Sequence, residues 1–121
     1  MAGAYDGPAL KRIEFMALAA LTEEPLHGYG IALLIDERTG GQERIRPGSL
    51  YRVLDRLQRR GLLEKAERRA TADGEDERRT YYRLTALGRH AVVREARILS
   101  GVAAGVVDPG DGPEVRPVQG T

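Results

Sequence analysis

Apolar residues recur at helical spacing in four stretches of the chain, and a stretch of alternation stands between the third and the fourth. In residues 10–21, Leu10, Ile13, Phe15, Met16, Ala17, Ala20 and Leu21 predict a buried helix, with Pro8 suited to a first turn. Pro25 ends that helix, because the residue before a proline is pushed out of the helical region. A second helix is predicted from Leu26-His27-Gly28-Tyr29-Gly30, with Ile31, Leu34 and Ile35 turned inward. Its early glycines weaken the helix, so they imply a close backbone approach. Gly40-Gly41 stops it. Residues 43–46 (ERIR) are long enough only for a minor strand, with Ile45 inward and Arg44 and Arg46 outward.

The strongest pattern lies in residues 47–63, PGSLYRVLDRLQRRGLL. Pro47 fits a first helical position. Leu50, Val53, Leu54 and Leu57 fall on one face at i, i+3, i+4 and i+7. Gly61 suits the left-handed residue that closes a helix, with Leu62 as its apolar contact. Arg59 and Arg60 sit in the last turn, where the helix dipole favours cations. Residues 62–70 and 78–85 then read as strands, joined by turn chemistry at Asp73-Gly74. On the second strand Thr80, Tyr82 and Leu84 share one face, and Arg79, Tyr81 and Arg83 the other. Thr85 is a good N-cap for a last helix. Along it Val92, Ala96, Leu99, Ala103 and Val106 follow at alternating spacings of four and three, a seam suited to packing on a partner helix. Residues 108–121 are rich in Pro and Gly and predict disorder.

Composition changes this picture little, and charge distribution changes it more. With 121 residues the chain is long enough for one domain with a core. Charged residues are 31% and hydrophobic residues 41%, which argues against both a membrane protein and a wholly disordered one. No apolar run approaches the roughly 20 residues of a membrane span. Residues 1–12 lack the basic-then-apolar order of a secretory signal. Cysteine is absent, which excludes disulfides, thiol catalysis and thiolate metal sites and fits a reducing cytoplasm. The formal net charge is only +1. Residues 43–83, however, hold twelve Arg or Lys against eight Asp or Glu, so the middle is basic and the flanks acidic. Arginine outnumbers lysine seventeen to two. Arginine suits bidentate contact with phosphate and guanine, and a GC-rich genome gives the same bias.

The predicted order is helix, helix, short strand, helix, hairpin, helix. That is a mainly α fold with a small β-hairpin: a winged helix-turn-helix at 10–85 and a C-terminal dimerisation helix at 86–107, flanked by a flexible start at 1–9 and the tail at 108–121. In such a fold the third helix enters the DNA major groove through its N-terminal half. With Leu50, Leu54 and Leu57 inward, Ser49, Tyr51, Arg52, Asp55 and Arg56 lie lateral or outward. Ser49 and the open amides of the first turn suit phosphate. Arg52 reaches a base edge or a phosphate, and Arg56 is better placed for phosphate. Tyr51 can bond a phosphate or pack on the hairpin. Arg68, Arg69, Arg78, Arg79 and Arg83 can contact the backbone beside the groove. The acidic turn, Asp73 with Glu75, Asp76 and Glu77, must point away or pair with those arginines. Taken alone, the third helix also reads as an ordinary amphipathic helix with a solvated basic side; the hairpin behind it favours DNA.

Catalysis has little support in the pattern. His27 and His90 stand far apart with no carboxylate or cysteine spacing for a metal, and no glycine-rich phosphate loop joins a strand to a helix. His27, at the head of a helix, reads as a cap or packing residue. No cofactor is expected.

The motifs together resemble the PadR family of bacterial transcriptional regulators. The matching residues are His27-Gly28-Tyr29-Gly30-Ile31, Pro47-Gly48-Ser49-Leu50-Tyr51-Arg52-Val53-Leu54, Leu57, Gly61-Leu62-Leu63, and Arg78-Arg79-Thr80-Tyr81-Tyr82-Arg83-Leu84-Thr85 with Gly88. The resemblance covers about residues 10–99, in the short form with one C-terminal helix. It implies a homodimer built through that helix, which can pack on the partner's N-terminal region. It implies binding of double-stranded DNA at a pseudo-palindromic operator, usually as a repressor, and a small aromatic effector at the dimer interface. The expected DNA-binding residues are Ser49, Tyr51, Arg52, Arg56, Arg79, Tyr81, Arg83 and Tyr29. The expected dimerisation residues are Val92, Ala96, Leu99, Ala103 and Val106. One departure is Arg46, where a small capping residue is common, so the helix start relies on Pro47 and Ser49 or on a phosphate. The alternative is a winged-helix protein-interaction module that does not bind DNA.

Overall fold

The computed structural model describes residues 5–67 and 80–106. Its elements are α1 (Arg12–Ala20), β1 (Leu26–His27), α2 (Gly28–Arg38), α3 (Pro47–Arg59), β2 (Leu63–Ala66), β3 (Tyr81–Leu84) and α4 (Ala86–Ala103). The expectations for residues 68–79, including Arg68, Arg69, Arg78, Arg79 and the acidic turn, lie outside the described residues. So do those for residues 1–4 and 107–121.

Helix α1 is the hub, packing against α2, α3 and α4. Its buried stripe is Glu14, Ala17, Leu18 and Leu21, at i, i+3, i+4 and i+7. Phe15 and Met16, expected inside, are only half-buried. The inward face is therefore rotated from the purely apolar reading, and it contains a carboxylate.

The remaining boundaries follow local chemistry. In α2 the N-cap is His27, whose Nδ1 accepts a hydrogen bond from the Gly30 amide at 3.0 Å. Leu26 and His27 do not open the helix, as the sequence suggested; they form the third strand of the sheet. Residues 43–46, expected as that strand, form none. The reason is the sheet order β1-β3-β2, in which β3 lends its second edge to Leu26 and His27, opposite Tyr82 and Tyr81. Gly40 and Gly41 end the α2 region with φ of 61° and 81°, which a side chain disfavours. Helix α3 buries Leu50, Val53, Leu54 and Leu57, as its period requires, and Gly61 follows with φ 77°.

The hairpin is antiparallel and in the expected register of faces. Leu63 faces Leu84, Glu64 faces Arg83, Lys65 faces Tyr82 and Ala66 faces Tyr81. Tyr82 is buried, Arg83 exposed and Tyr81 half-buried. Thr85 then caps α4, its hydroxyl accepting from the Gly88 amide at 3.0 Å. Its own amide donates to the Leu62 carbonyl at 3.2 Å. The first turn of α4 thus lies directly on the end of the α3–β2 connection.

Candidate nucleic-acid interface

Helix α3 begins without a side-chain cap. Arg46 occupies the N-cap position and makes no capping bond. The leading amides therefore rely on Pro47, which needs no partner, and on whatever meets the helix from outside. This end carries the positive pole of the helix dipole, a setting suited to phosphate. Ser49 and Arg52 are exposed beside it. Arg52 has no hydrogen-bond or ion-pair partner among the described residues, so its guanidinium is available to a ligand.

A cluster of rings flanks this helix end. Tyr51 is half-exposed at 49%, and its ring lies over the start of α2. A methyl group added at Gly28 would come within 2.6 Å of the Tyr51 hydroxyl, so only glycine leaves room for this ring. That is the close approach implied by the HGYG motif. It also shows Tyr51 packed on α2, with its outer edge open. Tyr29 is 59% exposed. It stacks on His27 at 6.2 Å between centroids, and Tyr81 meets the same imidazole edge-on at 5.1 Å. Tyr29, Tyr51 and Tyr81 are thereby brought to one region by β1, α2, α3 and β3. Inside it, the Tyr82 hydroxyl is pushed above its ordinary pKa, first by burial and then by Tyr51 and the charge of Asp55.

Arg83, on the outward face of the hairpin, pairs with Glu64 across the strands at 2.8 Å. Both side chains are about half exposed, so the pair contributes little to stability and leaves part of the guanidinium open. Arg59 is tied to Asp55 at 2.7 Å within its own helix, which offsets the one acid on the outer side of α3.

Arg56 of α3 and Arg60, the residue that closes it, behave differently from expectation. Arg56, placed by helical geometry at the phosphate, instead directs its Nε to the Glu14 Oε2 at 2.9 Å. Arg60, read as a dipole partner, approaches Glu14 Oε1 at 3.5 Å and donates from Nη2 to the Tyr5 hydroxyl at 2.6 Å. The Glu14 side chain is only 2% exposed. Burial alone would raise its pKa. The Lys11 amide at 2.8 Å, the Arg56 hydrogen bond and the charges of Arg60 and Arg56 overcome that and hold it below the usual carboxylate range. The physical reason for the correction is a buried acid on another element that competes for the arginines at shorter range than any surface ligand. Glu14 and Tyr5 did not emerge from the sequence reading. The available signal was an acid at the first position of a stripe completed by Ala17, Leu18 and Leu21.

The expected dimer seam is corrected at one end. Val92 is buried in the chain's own core, where α4 packs against α1 and β3. Ala96, Leu99 and Ala103 are exposed, and Val106 is exposed just past the end of α4. Ile98 and Val102 are exposed as well. Leu99 shares an apolar cleft with Leu10, Phe15 and Met16, which extends the bare surface onto α1.

An amphipathic helix with an exposed, uncapped start, a helix before it and an antiparallel hairpin after it define a winged helix-turn-helix protein. The sequence profile described as the transcriptional regulator PadR-like family matches residues 17–94, and the chain belongs to that family. Among solved structures it is similar to RosR of H. salinarum, at 30% identity and a TM-score of 0.64, covering 88% of each chain. It has the fold of Bacillus subtilis PadR, solved in complex with operator DNA. That match has 18% identity and a TM-score of 0.58, over 83% of this chain and 62% of the other. A 37.1 kDa protein in transposon Tn4556 of Streptomyces fradiae is 33% identical over 95 residues, 78% of this chain. The chain spans only 25% of that transposon protein's length. Among the described residues no helix is long and apolar enough to cross a membrane.

Proposed function

We propose that the chain is a homodimeric, sequence-specific repressor that acts in the cytoplasm on a pseudo-palindromic operator. One observation carries this reading: the uncapped N-terminal turn of α3 presents Ser49 and Arg52, which has no partner among the described residues, beside Tyr29, Tyr51 and Tyr81. The first-turn amides and Ser49 hold a phosphate, and Arg52 enters the major groove. The half-exposed tyrosines offer hydroxyls to the flanking backbone. Arg83 approaches the neighbouring phosphates, and the sequence assigns Arg79 the same role. Bacillus subtilis PadR, which shares this fold, was solved in complex with operator DNA, and that supports a DNA-binding reading for this chain.

The partner copy covers the apolar surface of Ile98, Leu99 and Val102, together with Phe15 and Met16. Two recognition helices set in this way meet half-sites about one DNA turn apart. A small aromatic compound held between the partners relieves repression by changing that spacing. The test is a footprint on the DNA upstream of the chain's own gene, with affinity followed against salt. A regulator loses affinity steeply as salt rises. No protection even at low salt, with a partner protein captured in its place, would instead favour the interaction-module reading.

A further inference from the structure

We propose that Glu14 is a positioning residue for DNA recognition: it holds the C-terminal half of α3 through Arg56 and Arg60 and so sets the pose of the recognition helix on α1. This rests on the DNA-binding reading above. It adds that two cations at the C-terminal end of α3, Arg56 and the C-cap Arg60, serve the protein rather than the phosphates.

The geometry is that of a clamp. Glu14 uses both carboxylate oxygens, Oε2 toward Arg56 Nε and Oε1 toward Arg60 Nη1 and the Lys11 amide. The arginines stand one helical turn apart, so the pair fixes rotation of α3 about its own axis as well as its distance from α1. A buried carboxylate left without these partners is costly, so α3 cannot turn without breaking charged hydrogen bonds. Rotation is the coordinate that aims Arg52.

The clamp also reaches the helix proposed to carry the dimer. Arg60 bonds the Tyr5 hydroxyl, which in turn donates to the Pro8 carbonyl. Arg94 of α4 lies 5.8 Å from the Tyr5 ring centre and donates to the Gly7 carbonyl at 3.2 Å. Residues 5–8 therefore tie the end of α3 to α4, and Glu14 is the one group in this chain of contacts that is almost wholly buried. A change of α4 geometry has a direct route to the recognition helix.

The experiment has two arms, run on the full chain. In the first, the Arg56 Nε–H signal is followed by NMR in the wild type, free and with the footprinted operator duplex. The proposal expects a signal protected from exchange and retained on DNA. Loss of protection in the free protein, or its replacement by a new shift on operator binding, overturns it. In the second, operator affinity is measured against salt for wild type, E14Q, R56Q and R52A. Both clamp variants are expected to bind about 3- to 30-fold more weakly, the range of mutations that act without touching the ligand. R56Q keeps the wild-type salt slope, because no phosphate contact is lost. A phosphate contact at Arg56 would instead reduce the slope by about 0.9 in R56Q. That result, or wild-type affinity in E14Q, sinks the proposal while leaving the DNA reading intact. A wild type that binds no operator sinks both. Should E14Q not fold, the wild-type NMR arm and R56Q still decide.

Discussion

Replacing Gly88 by Ala sets two effects of opposite sign against each other. Helix propensity alone predicts stabilisation, by about 1 kcal/mol for glycine to alanine in a helix interior. The tertiary structure predicts the reverse. A Cβ at Gly88 would stand 1.8 Å from the Leu62 carbonyl oxygen, and ordinary contact begins at 3.4 Å. The obstacle is backbone, so it cannot swing aside like a side chain. The start of α4 must retreat by about 1.6 Å, the difference of those two distances. Retreat strains the Thr85–Leu62 backbone bond and the Thr85 cap on the Gly88 amide. Overpacking of this kind costs about 1–3 kcal/mol, and a lost cap costs about 1 kcal/mol more. Subtracting the propensity gain leaves a net loss of about 1–3 kcal/mol. Urea unfolding at one fixed protein concentration measures it. Gly48→Ala is the control: it lies in α3 with nothing within 4 Å of a new Cβ, so it should be neutral or slightly stabilising. A Gly88→Ala protein as stable as the wild type would show that the α4 start is not held where the structure has it.

Three further outcomes follow from the same geometry. Arg52→Ala should weaken operator binding by about 1–3 kcal/mol and relax preference at one base position, measured by titration against single-base operator variants; unchanged affinity removes Arg52 from the recognition set. Leu99→Asp should convert the dimer to monomer in sedimentation, because burial of an unpaired charge is unfavourable, and a persistent dimer would refute the α4 seam. Glu14 has a lowered pKa in the folded state, so the native protein binds fewer protons than the unfolded chain over that interval. The stability it contributes is present above the ordinary glutamate range and lost as pH falls through the lowered value. Unfolding midpoints should therefore drop more steeply with acid in the wild type than in E14Q, and parallel curves would exclude this contribution.

Local rules were sufficient for much of this protein. The four apolar patterns, the proline and glycine boundaries, the Thr85 cap and the alternation at Tyr81-Tyr82-Arg83-Leu84 all correspond to elements of the fold. Each of these depends on neighbours within a turn or two of chain, and such information is contained in spacing and residue type. The exposure of Ser49, Arg52, Tyr51 and Tyr29 was legible for the same reason, since the buried face of a helix dictates its outer face.

What only the tertiary structure decided are the choices between distant elements. Periodicity identifies a face but not what covers it. Val92 belongs to a continuous seam by spacing, yet it is buried in the core of its own chain. The third strand could have come from residues 43–46, but the free edge of β3 is met by Leu26 and His27. Arg56 reads as a surface cation until a carboxylate 42 residues away is brought beneath it. Glu14 was hidden because an acid is not counted in an apolar stripe. Its burial is tolerable only when two arginines from another helix arrive together, and no local rule describes that meeting.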